Sequence, residues 1–182
     1  DTTAEAAELA TLSDLKQIAV ISPHLMANTA AAAAISLAAG VQPEEIKLAL
    51  NNFKLDAHRI ELVAEASGIR YVDDSKATNP HAADAALSSF DSVVWIVGGL
   101  LKGVDITELV RKHAGSLRAA VVIGVDRQPV IAALSQAASS VPVYEIADGE
   151  DVMARAVHQA KEMAKEGDTV LLAPAAASMD QF

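Results

Sequence analysis

The 182-residue chain contains no cysteine, which excludes disulfides and thiolate-held metal ions. Aromatic residues are scarce, 3% of the chain against 52% hydrophobic residues in all. A packed core is therefore within reach, but it must be aliphatic and rich in alanine. No run of about 18 apolar residues occurs, and the stretch at 29–39 is alanine-rich and too short to cross a bilayer. Basic residues are few as well: 14 Lys and Arg stand against 24 Asp and Glu, for a formal net charge of −10. A nucleic-acid backbone surface needs clustered cations, so that class of partner is excluded, whereas a local anion site built from a few lysines is not. The acidic surplus reads as a solubility feature. There is no signal-peptide pattern, and the start at Asp1 reads as a cut within a longer polypeptide.

Motifs that would announce a particular chemistry are missing too. The P-loop spacing G-x-x-x-x-G-K-[ST] and the zinc motif H-E-x-x-H do not occur. His24, His81, His113 and His158 share no metal-ligand spacing and are expected at the surface or as caps, so no metal site is predicted. No Ser-His-Asp arrangement can be identified from spacing.

Two styles of pattern are present. Residues 1–17 are polar and acidic with weak helical character, 18–22 (IAVIS) read as a short strand ended by Pro23, and Asn28 to Ala39 read as a helix closed by Gly40. Residues 43–53 form a second helix, with Pro43 in its first turn, Glu44 and Glu45 at its positive end, and Ile46, Leu50 and Phe53 on one face. Two helices with so little sheet do not make a complete domain. From residue 59 the pattern alternates. Strand-like runs at 60–65, 69–73, 93–97, 119–123, 142–146 and 168–172 enclose helical runs near 80–88, 105–113, 128–138 and 149–165. This alternation predicts an α/β fold, a mostly parallel sheet with helices on both faces, whose first two strands form a hairpin around a Ser-Gly turn. The boundary between the two regions is expected at 54–58, giving parts 1–55 and 56–182.

In such sheets ligands bind beyond the carboxyl ends of strands, and the residues least suited to packing lie there. Asp73-Asp74-Ser75-Lys76-Ala77-Thr78-Asn79 follows the second strand and offers a lysine, hydroxyls and a helix start to an anion; alternatively it is a polar cap. His58-Arg59 precedes the first strand, and its guanidinium suits phosphate or ribose oxygens unless it merely pairs with Glu61. Gly98-Gly99-Leu100-Leu101-Lys102-Gly103 follows the third strand, with glycines that permit a close ligand approach, or a plain turn. The last strand runs into Ala173-Pro174-Ala175-Ala176-Ala177-Ser178-Met179-Asp180-Gln181-Phe182, where Ser178 can donate to a carboxylate. Gly124-Val125-Asp126, at another strand end, is a weaker candidate or simply a helix start.

Taken in order, H-R, D-S-K-A-T-N, G-G-x-x-K-G and L-L-x-P-A-x-A-S-x-D-Q-F resemble the Mur ligases, and within them the members that add D-glutamate. Asn28, with His24 before it, resembles the H-N-x-x-N element of their central domain; Leu25 and Ala173 depart from the family pattern. The resemblance implies a Rossmann-like C-terminal domain in 56–182, preceded in 1–55 by a helical remnant of a central ATP-binding domain. It implies ATP-dependent joining of D-glutamate to UDP-N-acetylmuramoyl-L-alanine through an acyl phosphate, in the bacterial cytoplasm, by a monomer that uses Mg²⁺ held by residues upstream. By the same resemblance Lys76 and Lys102 are catalytic, and Asn28, Arg59, Asp74 and Lys76 contact ATP. Thr78, Lys102 and Ser178 would hold D-glutamate, and 54–58 is a hinge candidate. The chain by itself is expected to be inactive. Two other readings remain: a binding module for a nucleotide or amino acid without catalysis, and a plain scaffold with capped strand ends.

Overall fold

The computed structural model describes residues 11, 14, 15 and 17–177. The chain divides into two compact units between Asp56 and Ala57.

The first unit carries helices α1 (Pro23–Ala38) and α2 (Pro43–Asn52). Helix α1 begins five residues earlier than the sequence pattern suggests. Pro23 opens the helix instead of ending a strand: it sits at the first helical position, where its missing N–H costs nothing, and the Ser22 hydroxyl accepts the Leu25 N–H at 3.3 Å. The expected strand at 18–22 does not form. An extended segment becomes a strand only when a neighbour takes up its backbone groups, and no strand among the described residues lies beside this one. The Gln42 N–H donates to Glu45 Oε2 at 3.0 Å, the reciprocal half of a capping box. The pair buries Leu25, Ala33 and Ile46, while Ile35 stays 71% exposed.

The second unit is one six-stranded sheet in the order β1-β2-β6-β3-β4-β5, with β1 (Glu61–Ala66), β2 (Ile69–Asp73), β3 (Val93–Gly98), β4 (Leu117–Ile123), β5 (Val143–Glu145) and β6 (Thr169–Leu172). Only β1 is antiparallel. Ser67 and Gly68, both at positive φ (55° and 71°), close the β1–β2 hairpin with the backbone hand that matches strand twist. The parallel strands are joined by helices α3 (Pro80–Leu87), α4 (Thr107–His113), α5 (Arg127–Ala137) and α6 (Val152–Met163). Every residue of β3 is buried, as a central parallel strand covered on both faces requires. Val94, Ile96, Val121 and Ile123 pack with Ala156 and Ala160 of α6. By the two-residue alternation of a strand, Val93, Trp95 and Val97 face the other layer, where α5 lies against β3 and β4. The fold is thus the expected α/β arrangement.

Polar anchors sit at both ends of the central strands. At the amino ends, Asp168 is buried just before β6 and accepts from Ser92 Oγ (2.6 Å), Arg118 Nε (2.7 Å) and the Lys165 N–H (2.7 Å). Burial opposes its ionisation, but those donors outweigh burial and hold its pKa below the ordinary value. At the carboxyl ends, the single tryptophan, Trp95, is fully buried and its indole N–H donates to Ala173 O at 2.8 Å.

Candidate functional site

Strand β6 lies between β2 and β3, and Asp73 pairs with Leu172, which pairs with Ile96. The loops that follow these three strands therefore leave the sheet side by side at its carboxyl edge. They are stitched to one another through backbone. The Asp74 N–H donates to Leu172 O (2.8 Å), Ala175 N–H to Ala77 O (2.9 Å), Gly98 N–H to Pro174 O (3.0 Å) and Leu100 N–H to Ala177 O (2.8 Å). Asp126, at the end of β4, joins the set: its carboxylate accepts the Leu101 N–H at 2.7 Å and its own N–H donates to Gly99 O at 2.9 Å. The sequence offers Asp126 as a weaker candidate at a strand end or as a helix start, and it does precede α5 as its cap residue. The signal that marks it is an acidic residue just past the end of a buried strand.

The paired glycines allow close contacts within the protein itself. A Cβ on Gly98 would lie 2.1 Å from Ile123 O, and one on Gly99 would lie 2.6 Å from Ala177 O, at φ values of 122° and 145°. Glycine here lets neighbouring backbone close in, and that packing aims the loop carrying Lys102.

Lys76, Thr78 and Lys102 are exposed on these adjoining loops, and among the described residues neither lysine is in an ion pair. Lys102 adopts the left-handed conformation at φ 54°, which costs a non-glycine residue about 1 kcal/mol or more. The cap of α3 is Asn79, whose Oδ1 accepts the Ala82 N–H at 3.0 Å with Pro80 behind it. The Thr78 hydroxyl is therefore not committed to the helix. Ser178 lies outside the described residues. Its neighbour Ala177 is bonded to Leu100 within the same loop cluster. Asn28 belongs to the first unit, exposed on α1.

Arg59 sits between two residues in left-handed conformations, His58 (φ 64°) and Ile60 (φ 45°). Several groups hold that backbone. The His58 N–H donates to Glu61 Oε2 (2.8 Å), and His58 Nδ1 lies 2.7 Å from Asp73 Oδ2. The Lys76 N–H reaches His58 O (3.4 Å), and the Ile60 N–H donates to Asp74 Oδ1 (3.3 Å). Asp74 is buried and turned toward this segment. Burial raises its pKa to about 6, against the lowering effects of the Ile60 N–H and the Arg59 charge. For Asp73 burial is outweighed by hydrogen bonds from His58 and Ser75, and its pKa is lowered.

A cavity of about 340 Å³ opens next to Lys102, lined by Leu101, Gly103, Val104, Asp105, Ile106 and Asp126. Its two aspartates make it a poor place for an anion. The cationic and hydroxyl-bearing surface lies over the β2 and β3 loops instead. One histidine departs from expectation: His113 is not a surface residue but is buried, with Nε2 2.6 Å from Asp84 Oδ1, and it fastens α4 to α3.

Comparison with known proteins agrees with this geometry. The family described as "Mur ligase, glutamate ligase domain" matches residues 58–176. The UDP-N-acetylmuramoylalanine--D-glutamate ligase of Leifsonia xyli is 53% identical over 179 residues, which are 97% of this chain and 35% of that protein. The protein of the same name from Thermobifida fusca is 53% identical over 179 residues, 98% of this chain and 38% of the relative. The chain thus spans little more than a third of the length of each. The crystal structure of MurF from Acinetobacter baumannii superposes with a TM-score of 0.63 at 22% identity, over 83% of this chain and 34% of that one, a likeness of fold.

Proposed function

Because this chain belongs to the Mur ligase family, we propose that it is the D-glutamate-delivering part of an ATP-dependent ligase that joins D-glutamate to UDP-N-acetylmuramoylalanine in peptidoglycan precursor synthesis. The observation that carries this reading is the loop cluster at one sheet edge, where two lysines without an ion pair and a threonine hydroxyl without a hydrogen bond, among the described residues, share a backbone-stitched rim. The relatives' printed names supply the substrates.

The proposed reaction needs such a rim. Transfer of the ATP γ-phosphoryl group to the substrate carboxylate makes an acyl phosphate, which the D-glutamate amine attacks, expelling phosphate. Each partner is an anion, so fixed cations and donors that hold them in reach of one another contribute most of the rate. Lys76 faces the reacting phosphate. Thr78, Lys102 and Ser178 hold the two carboxylates of D-glutamate. Arg59 approaches the ATP ribose and phosphates from the segment that Asp74 holds in place, and the family resemblance assigns Asn28, in residues 1–55, to the adenine. The ammonium, guanidinium and hydroxyl groups among these residues suit phosphate and carboxylate oxygens. The family resemblance assigns the magnesium ion that accompanies ATP to residues upstream of this chain. The reaction takes place in the cytoplasm, and no helix among the described residues is long and apolar enough to cross a membrane.

The test is phosphate release in the presence of ATP, D-glutamate and UDP-N-acetylmuramoylalanine. The ligase containing this chain should turn over, and Lys76→Ala and Lys102→Ala should each lower kcat/KM by about 100-fold or more, the scale of removing one charge-stabilising group. Lys102→Ala should raise the KM for D-glutamate specifically. Residues 1–182 alone, which have no P-loop sequence, should release no phosphate. Full activity in both lysine variants would refute the assignment.

A further inference from the structure

Glu61 opens β1 and Asp73 closes β2, and the two stand directly opposite each other in the antiparallel pair. Like charges in that relation repel, so the arrangement calls for a positive partner between them. An imidazole is already there: His58 Nδ1 lies 2.7 Å from Asp73 Oδ2. One ligating atom from each of His58, Glu61 and Asp73 lies within 4.8 Å of the other two. The two carboxylates are also oriented by neighbours, as metal ligands require. Glu61 Oε2 accepts the His58 N–H at 2.8 Å, and Asp73 Oδ1 accepts the Ser75 N–H at 2.8 Å, which leaves Oδ2 turned to the ring. His58 and Glu61 are exposed and Asp73 is half-buried, so an ion can reach all three from solvent.

We propose that His58, Glu61 and Asp73 form a binding site for a divalent transition-metal ion of the zinc class, completed by water. One imidazole nitrogen with two carboxylate oxygens is a donor set for zinc-like ions, whereas magnesium and calcium favour oxygen alone. The ion takes the position between His58 Nδ1 and Asp73 Oδ2. Tetrahedral bonds of about 2.1 Å set ligand atoms about 3.4 Å apart. The His58–Asp73 pair, now 2.7 Å apart, must therefore open by roughly 0.7 Å, which an exposed side chain can do by a small rotation. Binding would tie the segment carrying Arg59 to the end of β2, from which the Lys76 loop departs. The site is separate from the magnesium that accompanies ATP in the proposed reaction and does not depend on that reaction.

The experiment is calorimetric titration of the purified 182-residue chain with Zn²⁺ alone, with amide NMR of the same samples. One ion should bind, and the amide shifts should centre on residues 58–61 and 73–75. His58→Gln and Asp73→Asn, both chosen to preserve size, should each weaken binding at least about tenfold. His158→Gln, at an exposed histidine elsewhere, should leave it unchanged. Equal affinity in all four proteins, shifts centred away from these residues, or no binding below millimolar Zn²⁺ would each overturn the proposal.

Discussion

Asp168→Ala should be among the most damaging single changes available outside the apolar core of residues 57–182. The Asp168 side chain is 2% exposed and accepts three hydrogen bonds that join the amino ends of β3, β4 and β6. Alanine takes this acceptor from the half-buried Ser92 hydroxyl and from the Lys165 N–H, at about 1–2 kcal/mol each because both are partly open to water. Arg118 is 37% exposed and can turn to water, so its loss adds little. The expected total is about 2–4 kcal/mol, a fall in Tm on the order of 10 °C for a domain of this size. Urea melts followed by the fluorescence of Trp95, the single tryptophan and fully buried in the same sheet, read the change directly. The pH dependence supplies a second check. The folded pKa of Asp168 lies below the ordinary 3.8, so its contribution is present above that value and is lost as pH falls through the folded pKa. The gap between wild type and Asp168→Ala should therefore be full at neutral pH and shrink in acid. A variant within about 0.5 kcal/mol of wild type at neutral pH, or a gap that does not shrink in acid, would refute the reasoning.

Two further outcomes follow from buried polar groups. Burial raises the Asp74 pKa from 3.8 to about 6, so its contribution is complete below pH 4 and is lost as pH rises through 6, by at most about 3 kcal/mol. Asp74→Asn should flatten that part of the stability curve in the same Trp95 melts, and an unchanged slope would contradict it. The Thr169 hydroxyl is buried with no partner among the described residues. Thr169→Val should thus be neutral or stabilising by up to about 1 kcal/mol, and a loss larger than that in the urea midpoint would show that the hydroxyl is satisfied.

The second unit was legible in the sequence because its signals are local. The apolar runs at 93–97 and 119–123 have no polar alternation, which only a strand buried on both faces tolerates, and they became β3 and β4. The Ser-Gly pair at 67–68 marked the hairpin because its turn needs positive φ. The first unit was less legible. Residues 18–22 carry strand-like letters, but pairing is a property of two segments, and Pro23 after a serine is equally the opening of a helix. His113 was misjudged for a related reason: its burial depends on Asp84, which lies on another helix.

The order of patterned segments and the residue types at the strand ends are written in the chain itself, and they determined the α/β class, the family resemblance and the choice of Lys76, Thr78 and Lys102. Their convergence was not written there. It arises because β6, the last strand in sequence, inserts between β2 and β3 and brings the loops after Asp73, Gly98 and Leu172 side by side. Strand order is fixed by burying two faces of a sheet at once, a requirement that acts through space across about a hundred residues and leaves no mark in any local window. The same is true of Asp74, whose inward turn toward Ile60 depends on a neighbouring segment fourteen residues away in the chain.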